Sequence, residues 1–321
     1  MPRLLATQSH VVHGYVGNKA ATFPLQCLGW DVDCCNTVQF SNHTGYGMDK
    51  VFGSITKSDN LNKLLSGLFQ NFTHDYEALL SGYLPNADSV RCMGHHYTEF
   101  KKQNPKTLWL MDPVMGDEGK LYVNEDVIPE YRNLALSERG IVDIITPNQF
   151  ELEILCGQKI ANFEQLKNAL HFLHESIPII IVTSCDPKLF NDEGHIYCVA
   201  SMRDKEASLF RIPYIDSYFT GVGDLFSALL LDRTYKLLND ETSTLTFEDQ
   251  INDVLNVIQR VLLVTKSMAP DNIKSTIGSI ETMKMMELKI VQCRDLFDTV
   301  PCKNARFGSV VKDEKFIIKK F

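Results

Sequence analysis

No stretch of this chain is apolar enough to cross a membrane. The greasiest run, Ile177-Pro178-Ile179-Ile180-Ile181-Val182, falls far short of the roughly 18 residues a spanning helix needs. The opening residues turn polar too soon for the apolar region of an export signal. A basic surplus is missing as well. Against 40 Asp and Glu stand 32 Lys and Arg, a formal charge of −8, so no chain-wide positive field awaits nucleic acid or an anionic membrane. The nine cysteines are scattered without metal-ligating spacing. Without an export signal they read as reduced thiols in an intracellular protein, and the sequons at Asn42 and Asn71 then carry no glycan. Internal repeats and low-complexity linkers are absent. So are G-x-x-x-x-G-K-[ST], a three-glycine dinucleotide fingerprint and H-E-x-x-H, which weakens the P-loop, standard Rossmann and zincin readings.

What is present is an ordinary globular balance, 44% hydrophobic and 22% charged over 321 residues, enough for one large α/β domain. Short apolar runs at 3–8, 32–38, 78–81, 108–111, 141–145 and 179–183 read as strands. Helical patterns cover 18–28, 150–156, 225–231 and 249–268. Strands that are apolar throughout, separated by helices, predict a mostly parallel central sheet with helices on both faces. The domain is expected to span 1–300. Beyond it, 301–321 is locally basic, with Lys303, Arg306, Lys312, Lys315, Lys319 and Lys320 against Asp313 and Glu314, and is expected to be a solvated end piece of unknown role.

Ligands of such sheets bind at the carboxyl ends of the strands, and three motifs lie there. In Phe219-Thr220-Gly221-Val222-Gly223-Asp224 two glycines let backbone approach an anion and free N–H groups open a helix. Asp224 could then take a proton from an attacking hydroxyl; an N-cap Asp after a tight turn would look the same. In Thr146-Pro147-Asn148-Gln149-Phe150-Glu151 the carboxylate suits Mg²⁺, directly or through water, while Asn148 and Glu151 also have capping-box spacing. Met111-Asp112-Pro113-Val114-Met115-Gly116-Asp117-Glu118-Gly119 suits a cation site, a mobile lid or a solvated turn. Together the three supply the parts of a phosphoryl-transfer enzyme. Ser9, Phe40, His43, Thr44 and Tyr83 follow other strands and suit a small flat polar ring, by stacking and hydroxyl hydrogen bonds, or serve packing and turns.

With Gln8-Ser9-His10-Val11, Gly14-Tyr15-Val16-Gly17-Asn18 and Val38-Gln39-Phe40-Ser41-Asn42-His43-Thr44-Gly45-Tyr46 added to these motifs, the chain resembles the pyridoxal kinases of the ribokinase-like superfamily. The resemblance runs from about residue 3 to about residue 232 and continues more weakly around 286–291. It implies a three-layer α/β sandwich and ATP-dependent phosphorylation of the 5′-hydroxymethyl group of pyridoxal, pyridoxine and pyridoxamine. Asp224 matches the family's catalytic base, and Gly221, Val222 and Gly223 its anion hole. Ser9, Thr44, Tyr83 and Tyr122, with Phe40, His43, Gly223 and Asp224, match the vitamer site. Asn148, Thr183, Ser184, Ile215, Asp216, Ser217 and Val222 match nucleotide contacts, joined by Asp117 and Glu151, the Mg²⁺-linked acids. Asp112, Thr146 and Thr183 match the surroundings of a monovalent cation, K⁺ or Na⁺. A cytoplasmic homodimer is implied, with the nucleus as a further compartment, and neither nucleic acid nor membrane as partner. Val222 stands where the family usually has Thr, so weaker ATP binding or an altered nucleotide preference is expected. The alternatives are a hydroxymethylpyrimidine kinase and a weakly active or non-catalytic B6 carrier.

Overall fold

A computed structural model of the chain describes residues 1–117, 119–240, 242, 244–271, 273–297 and 314–321. The first half runs Arg3–Val11 (β1), Asn18–Cys27 (α1), Asp31–Phe40 (β2), Gly53–Ile55 (β3), Ser58–Asn71 (α2), Ala78–Ser81 (β4), Ala87–Gln103 (α3) and Leu108–Met111 (β5). A hairpin of Gly116–Asp117 (β6) and Lys120–Leu121 (β7) follows, then Val127–Ala135 (α4), Ile144–Ile145 (β8), Gln149–Cys156 (α5), Phe163–His174 (α6) and Ile179–Cys185 (β9). The remainder is His195–Met202 (β10), Ser208–Pro213 (β11), Val222–Asn239 (α7), Phe247–Ser267 (α8), Ile280–Met285 (α9) and Ile317–Lys320 (β12).

Ten strands form one sheet in the order β12-β11-β10-β9-β8-β5-β4-β1-β2-β3. From β2 to β9 every neighbour is parallel, and antiparallel strands close both flanks. Alternation along the strands explains their continuous apolarity. Leu4, Ala6, Leu108, Leu110, Ile179 and Ile181 pack with α1, α7 and α8. Leu5, Trp109, Met111, Ile180 and Val182 pack on the other face with helices α2 to α6. Both faces are covered, which makes three layers; a fully buried Leu or Ile contributes about 1.5–3 kcal/mol.

Several expectations need correction. β8 is shorter than the predicted 141–145, because the Asp143 side chain turns to accept from Trp109 N at 2.7 Å and Lys101 Nζ at 2.5 Å. β10 and β11 were not anticipated; they return antiparallel beyond β9. The end of the chain is more than a solvated piece. Ile317–Lys320 pairs with β11, Phe316 is buried in the core, and Asn256 Oδ1 accepts from Glu314 N at 2.9 Å. Residues 301–313, which carry most of that basic segment, lie outside the described residues.

From β1 the chain goes to β2 on one side and later to β4 on the other, a switch point that opens a crevice at the strand ends. Backbone bonds just beyond the strands draw that end into a row. Gly82 N donates to Thr7 O, Asp112 N to Ser81 O, Thr146 N to Met111 O and Thr183 N to Pro147 O, all within 2.8–3.2 Å.

Candidate active site

The row of strand ends meets the start of α7. Gly221, before its first residue, has φ +83°, and a Cβ there would lie 2.0 Å from the Tyr15 carbonyl oxygen. Only glycine lets the helix start press onto the loop after β1. No side chain caps this 18-residue helix. The amides of Val222, Gly223 and Asp224 therefore lack intrahelical acceptors and stand at the positive end of the dipole. This uncapped start is a candidate anion nest of the kind the glycine motif suggested.

Two carboxylates border it. Asp224 is half-buried in the first turn. Burial raises its pKa, opposed by the Gly17 amide and by His43. Asp112, at the end of β5, is buried, and a Cβ on Gly223 would lie 3.8 Å from its Oδ2. Burial first, then the charge of Asp224, pushes Asp112 up to about 8, against the hydroxyls of Ser227 and Thr146. Ser227 Oγ donates to Asp112 Oδ2 at 3.2 Å and lies 3.0 Å from Thr146 Oγ1.

Glu151 is a second buried acid, and its surroundings differ. Its Oε1 accepts from Met115 N at 2.9 Å and Gly116 N at 3.4 Å, and its Oε2 accepts from Asn148 N at 2.9 Å. Asn148 Oδ1 accepts from Glu151 N at 2.9 Å, which completes the capping box, and Asn148 Nδ2 donates to Gly116 O at 2.8 Å. Of the two arrangements the sequence allowed, the capping box is built, and both side chains are used within the protein. Burial and the charge of Asp112 still raise the Glu151 pKa well above its ordinary value. The pair ties α5 to the β6–β7 hairpin, which presents Asp117, exposed, and leads to Tyr122, also exposed and set beside Tyr218 and Asp117. Tyr122 is thus on the hairpin side of the crevice.

Thr183 and Ser184, at the end of β9, are half-buried. Ile215 is buried, Asp216 pairs with Lys274, and Ser217 Oγ accepts from Ser275 N at 3.3 Å. Across the crevice, Ser9 is buried at the end of β1 and backs onto Gly17, Phe40 ends β2, and Tyr83 is half-buried. His43 is buried and Thr44 exposed. His43 Nε2 lies 2.9 Å from Glu287 Oε1, which also accepts from Tyr46 Oη at 2.8 Å. Sequence reasoning missed Glu287, Ser227 and Tyr218; Glu287 and Ser227 are each a polar residue set between apolar neighbours, and Tyr218 carries no such signal. Among the described residues no group of three or more His, Cys, Asp or Glu side chains is set to hold a metal, and no helix is long and apolar enough to cross a membrane. A groove of about 740 Å³ lined by Arg139, His174, Arg203 and Phe321 lies at the opposite end of β9 and does not border α7.

An anion nest, an adjacent carboxylate and buried acids can hold a phosphate and deprotonate a hydroxyl beside it. The family profile for phosphomethylpyrimidine kinase matches residues 54–243. The chain is 69% identical to BUD16 of Saccharomyces cerevisiae, provisionally assigned as a pyridoxal kinase, over 94% of this chain and 96% of that one. With the pyridoxal kinase of Bos taurus it shares 37% identity, over 92% of this chain and 96% of the other. Among solved structures, pyridoxal kinase from Leishmania donovani in complex with ADP and pyridoxine superposes with a TM-score of 0.78 at 31% identity, covering 92% and 95% of the two chains.

Proposed function

The chain belongs to the pyridoxal kinase family, and from that premise we propose how its own residues perform ATP-dependent phosphorylation of the 5′-hydroxymethyl group of B6 vitamers. Pyridoxal, pyridoxine and pyridoxamine are the acceptors. Tyr83 and Phe40 stack on the pyridine ring, and Ser9 and Thr44, with His43, hold its polar substituents. The hydroxymethyl oxygen attacks the γ-phosphorus and Asp224 takes its proton. The new O–P bond forms as the bond to the bridging oxygen breaks, and ADP leaves. The amides of Gly221, Val222 and Gly223 hold the charge on the transferred oxygens. Burial raises the Asp224 pKa toward the range in which a carboxylate works as a base. The observation that carries this reading is the uncapped start of α7 with Asp224 in its first turn.

Asn148, Thr183, Ser184, Ile215, Asp216, Ser217 and Val222 border the nucleotide side. The oxygen-only donors there fit Mg²⁺ held largely by phosphates and water. Asp117 would face the ion, and Glu151, whose oxygens already accept amides, would act on it through water. Bound there with ATP, Mg²⁺ would neutralise phosphate charge during transfer. Asp112, buried with only hydroxyl donors, fits a monovalent cation shared with Thr146 and Thr183.

The test is pyridoxal 5′-phosphate formation by purified protein with ATP, Mg²⁺ and K⁺, beside D224N and with hydroxymethylpyrimidine as competing acceptor. Product from the wild type and little from D224N is expected; preference for the pyrimidine or full activity in D224N would overturn the assignment. We further propose a homodimer, supported by the exposed edge strand β3 with Met48, Phe52 and Ile55 in the open, to be checked by sedimentation equilibrium. A cytoplasmic location, with the nucleus as a further compartment, is supported by the cysteines among the described residues being free thiols and is checked by fractionation.

A further inference from the structure

Glu287 lies in the segment after α9, far along the chain from every motif of the site, yet its buried carboxylate gathers three of them. Oε2 accepts from Tyr15 N at 3.0 Å, in the loop after β1. Oε1 meets His43 Nε2 at 2.9 Å and Tyr46 Oη at 2.8 Å, in the loop after β2. Room for it is reserved by Gly14, whose φ is +92° and where a Cβ would lie 2.4 Å from Oε1. Burial disfavours the ionised form, but the bonds from His43 and Tyr46 and the Tyr15 amide outweigh it and hold the Glu287 pKa below its ordinary value. The carboxylate therefore accepts from all three. It also orients the histidine: a carboxylate can only accept, so Nε2 is the donor, while Nδ1 is buried with no partner among the described residues.

The two loops it holds bear on the two sides of the reaction. The Tyr15 carbonyl is the group against which Gly221 presses at the anion nest. Thr44 lies between His43 and Tyr46, and His43 acts on the charge of Asp224. The segment just before α9 reinforces the second loop, since Gly278 N donates to Gly45 O at 2.8 Å and Lys50 Nζ donates to Gly278 O at 2.7 Å. We propose that Glu287 is a positioning residue that clamps the vitamer-binding loops onto the anion nest, so that its loss weakens vitamer use far more than ATP use. The proposal rests on the kinase reading above, in which those loops hold the vitamer.

The test compares purified full-length wild type, E287Q, E287A and Y46F. KM for pyridoxal is expected to rise about 10-fold or more in E287Q and E287A and about 2–5-fold in Y46F, in keeping with the loss of charged and neutral hydrogen bonds. KM for ATP should stay within about 2-fold, since uniform binding on the nucleotide side is untouched. Hydrogen exchange of residues 12–18 and 41–47 is expected to speed up in E287Q while α5 and α6 are unchanged. A residue that merely supports folding would lower the melting temperature and leave both KM values and local exchange alone, which would overturn the clamp. If E287A does not fold, E287Q and Y46F carry the test. If the wild type makes no pyridoxal phosphate, the kinase reading fails on its own, while exchange in the two loops still decides whether Glu287 clamps them.

Discussion

On the nucleotide side of the crevice Glu151 is held by a helix cap and the nearby hairpin, whereas on the acceptor side Glu287 is held by residues more than 240 positions away. Glu151 meets Asn148 across 3 residues and Met115 across 36. Glu287 meets His43 across 244 and Tyr15 across 272. The first arrangement is a helix start after a strand, and local capping rules write it into the sequence. The second exists only once the segment after α9 has folded back over the loops of β1 and β2. Both end as buried carboxylates surrounded by donors, and they differ in charge balance. Burial and Asp112 raise the pKa of Glu151, while His43 and Tyr46 help lower that of Glu287.

The contrast is sharpest at the point both sides share. D224N is expected to lower kcat by about 10²–10⁴ with pyridoxal binding retained, measured by steady-state kinetics and equilibrium binding; intact turnover would remove the base from the shared point. G221A forces a side chain into left-handed backbone and onto the Tyr15 carbonyl, and a loss of about 10²–10³ in kcat is expected, as for a missing anion-hole donor. E151A strips the capping box and the hold on Met115 and Gly116. A loss of about 1–3 kcal/mol in denaturant unfolding is expected, with KM rising for ATP rather than pyridoxal. A rise confined to pyridoxal would break the division between the two sides.

Asp112 tests the same division through pH. Its folded pKa, about 8, lies above that of the unfolded chain, so across that window the folded state binds the extra proton. Stability falls as pH rises from the ordinary carboxylate range, about 4, toward 8. D112N is expected to flatten that part of a melting-temperature profile, and K⁺ to restore the wild type but not D112N. Unchanged slopes would deny Asp112 its buried charge. The smallest effect is expected from V222T, which offers the nucleotide one more hydroxyl. A gain of about 0.5–1.5 kcal/mol in ATP affinity, read by calorimetry, should leave pyridoxal KM unmoved.

Much of this was legible beforehand. The runs at 78–81 and 108–111 became β4 and β5 as predicted, because strands covered on both faces are apolar at every position. The helix start at Val222 was marked by its two glycines, and the one at Gln149 by Asn148 and Glu151. The helices α2, α3, α4 and α6 went unnamed, and the other elements that escaped notice were antiparallel or distant. β10 and β11 pair across the sheet's flank, and β12 joins them from the far end of the chain. For Glu151 the sequence left metal ligand and cap both open, since they share one spacing; the cap is built, and the Met115 and Gly116 amides donate to the carboxylate's other oxygen.

By itself, then, the sequence determined the layers, the row of polar strand ends and the uncapped glycine start of α7, since these follow from periodicity, apolarity and backbone freedom within a few residues. Tertiary structure alone decided which carboxylates are charged. That Asp112 rises while Glu287 falls depends on burial and on the groups folding brings close: burial first and then Asp224 raise the one, while a His, a Tyr and a backbone amide outweigh burial in the other.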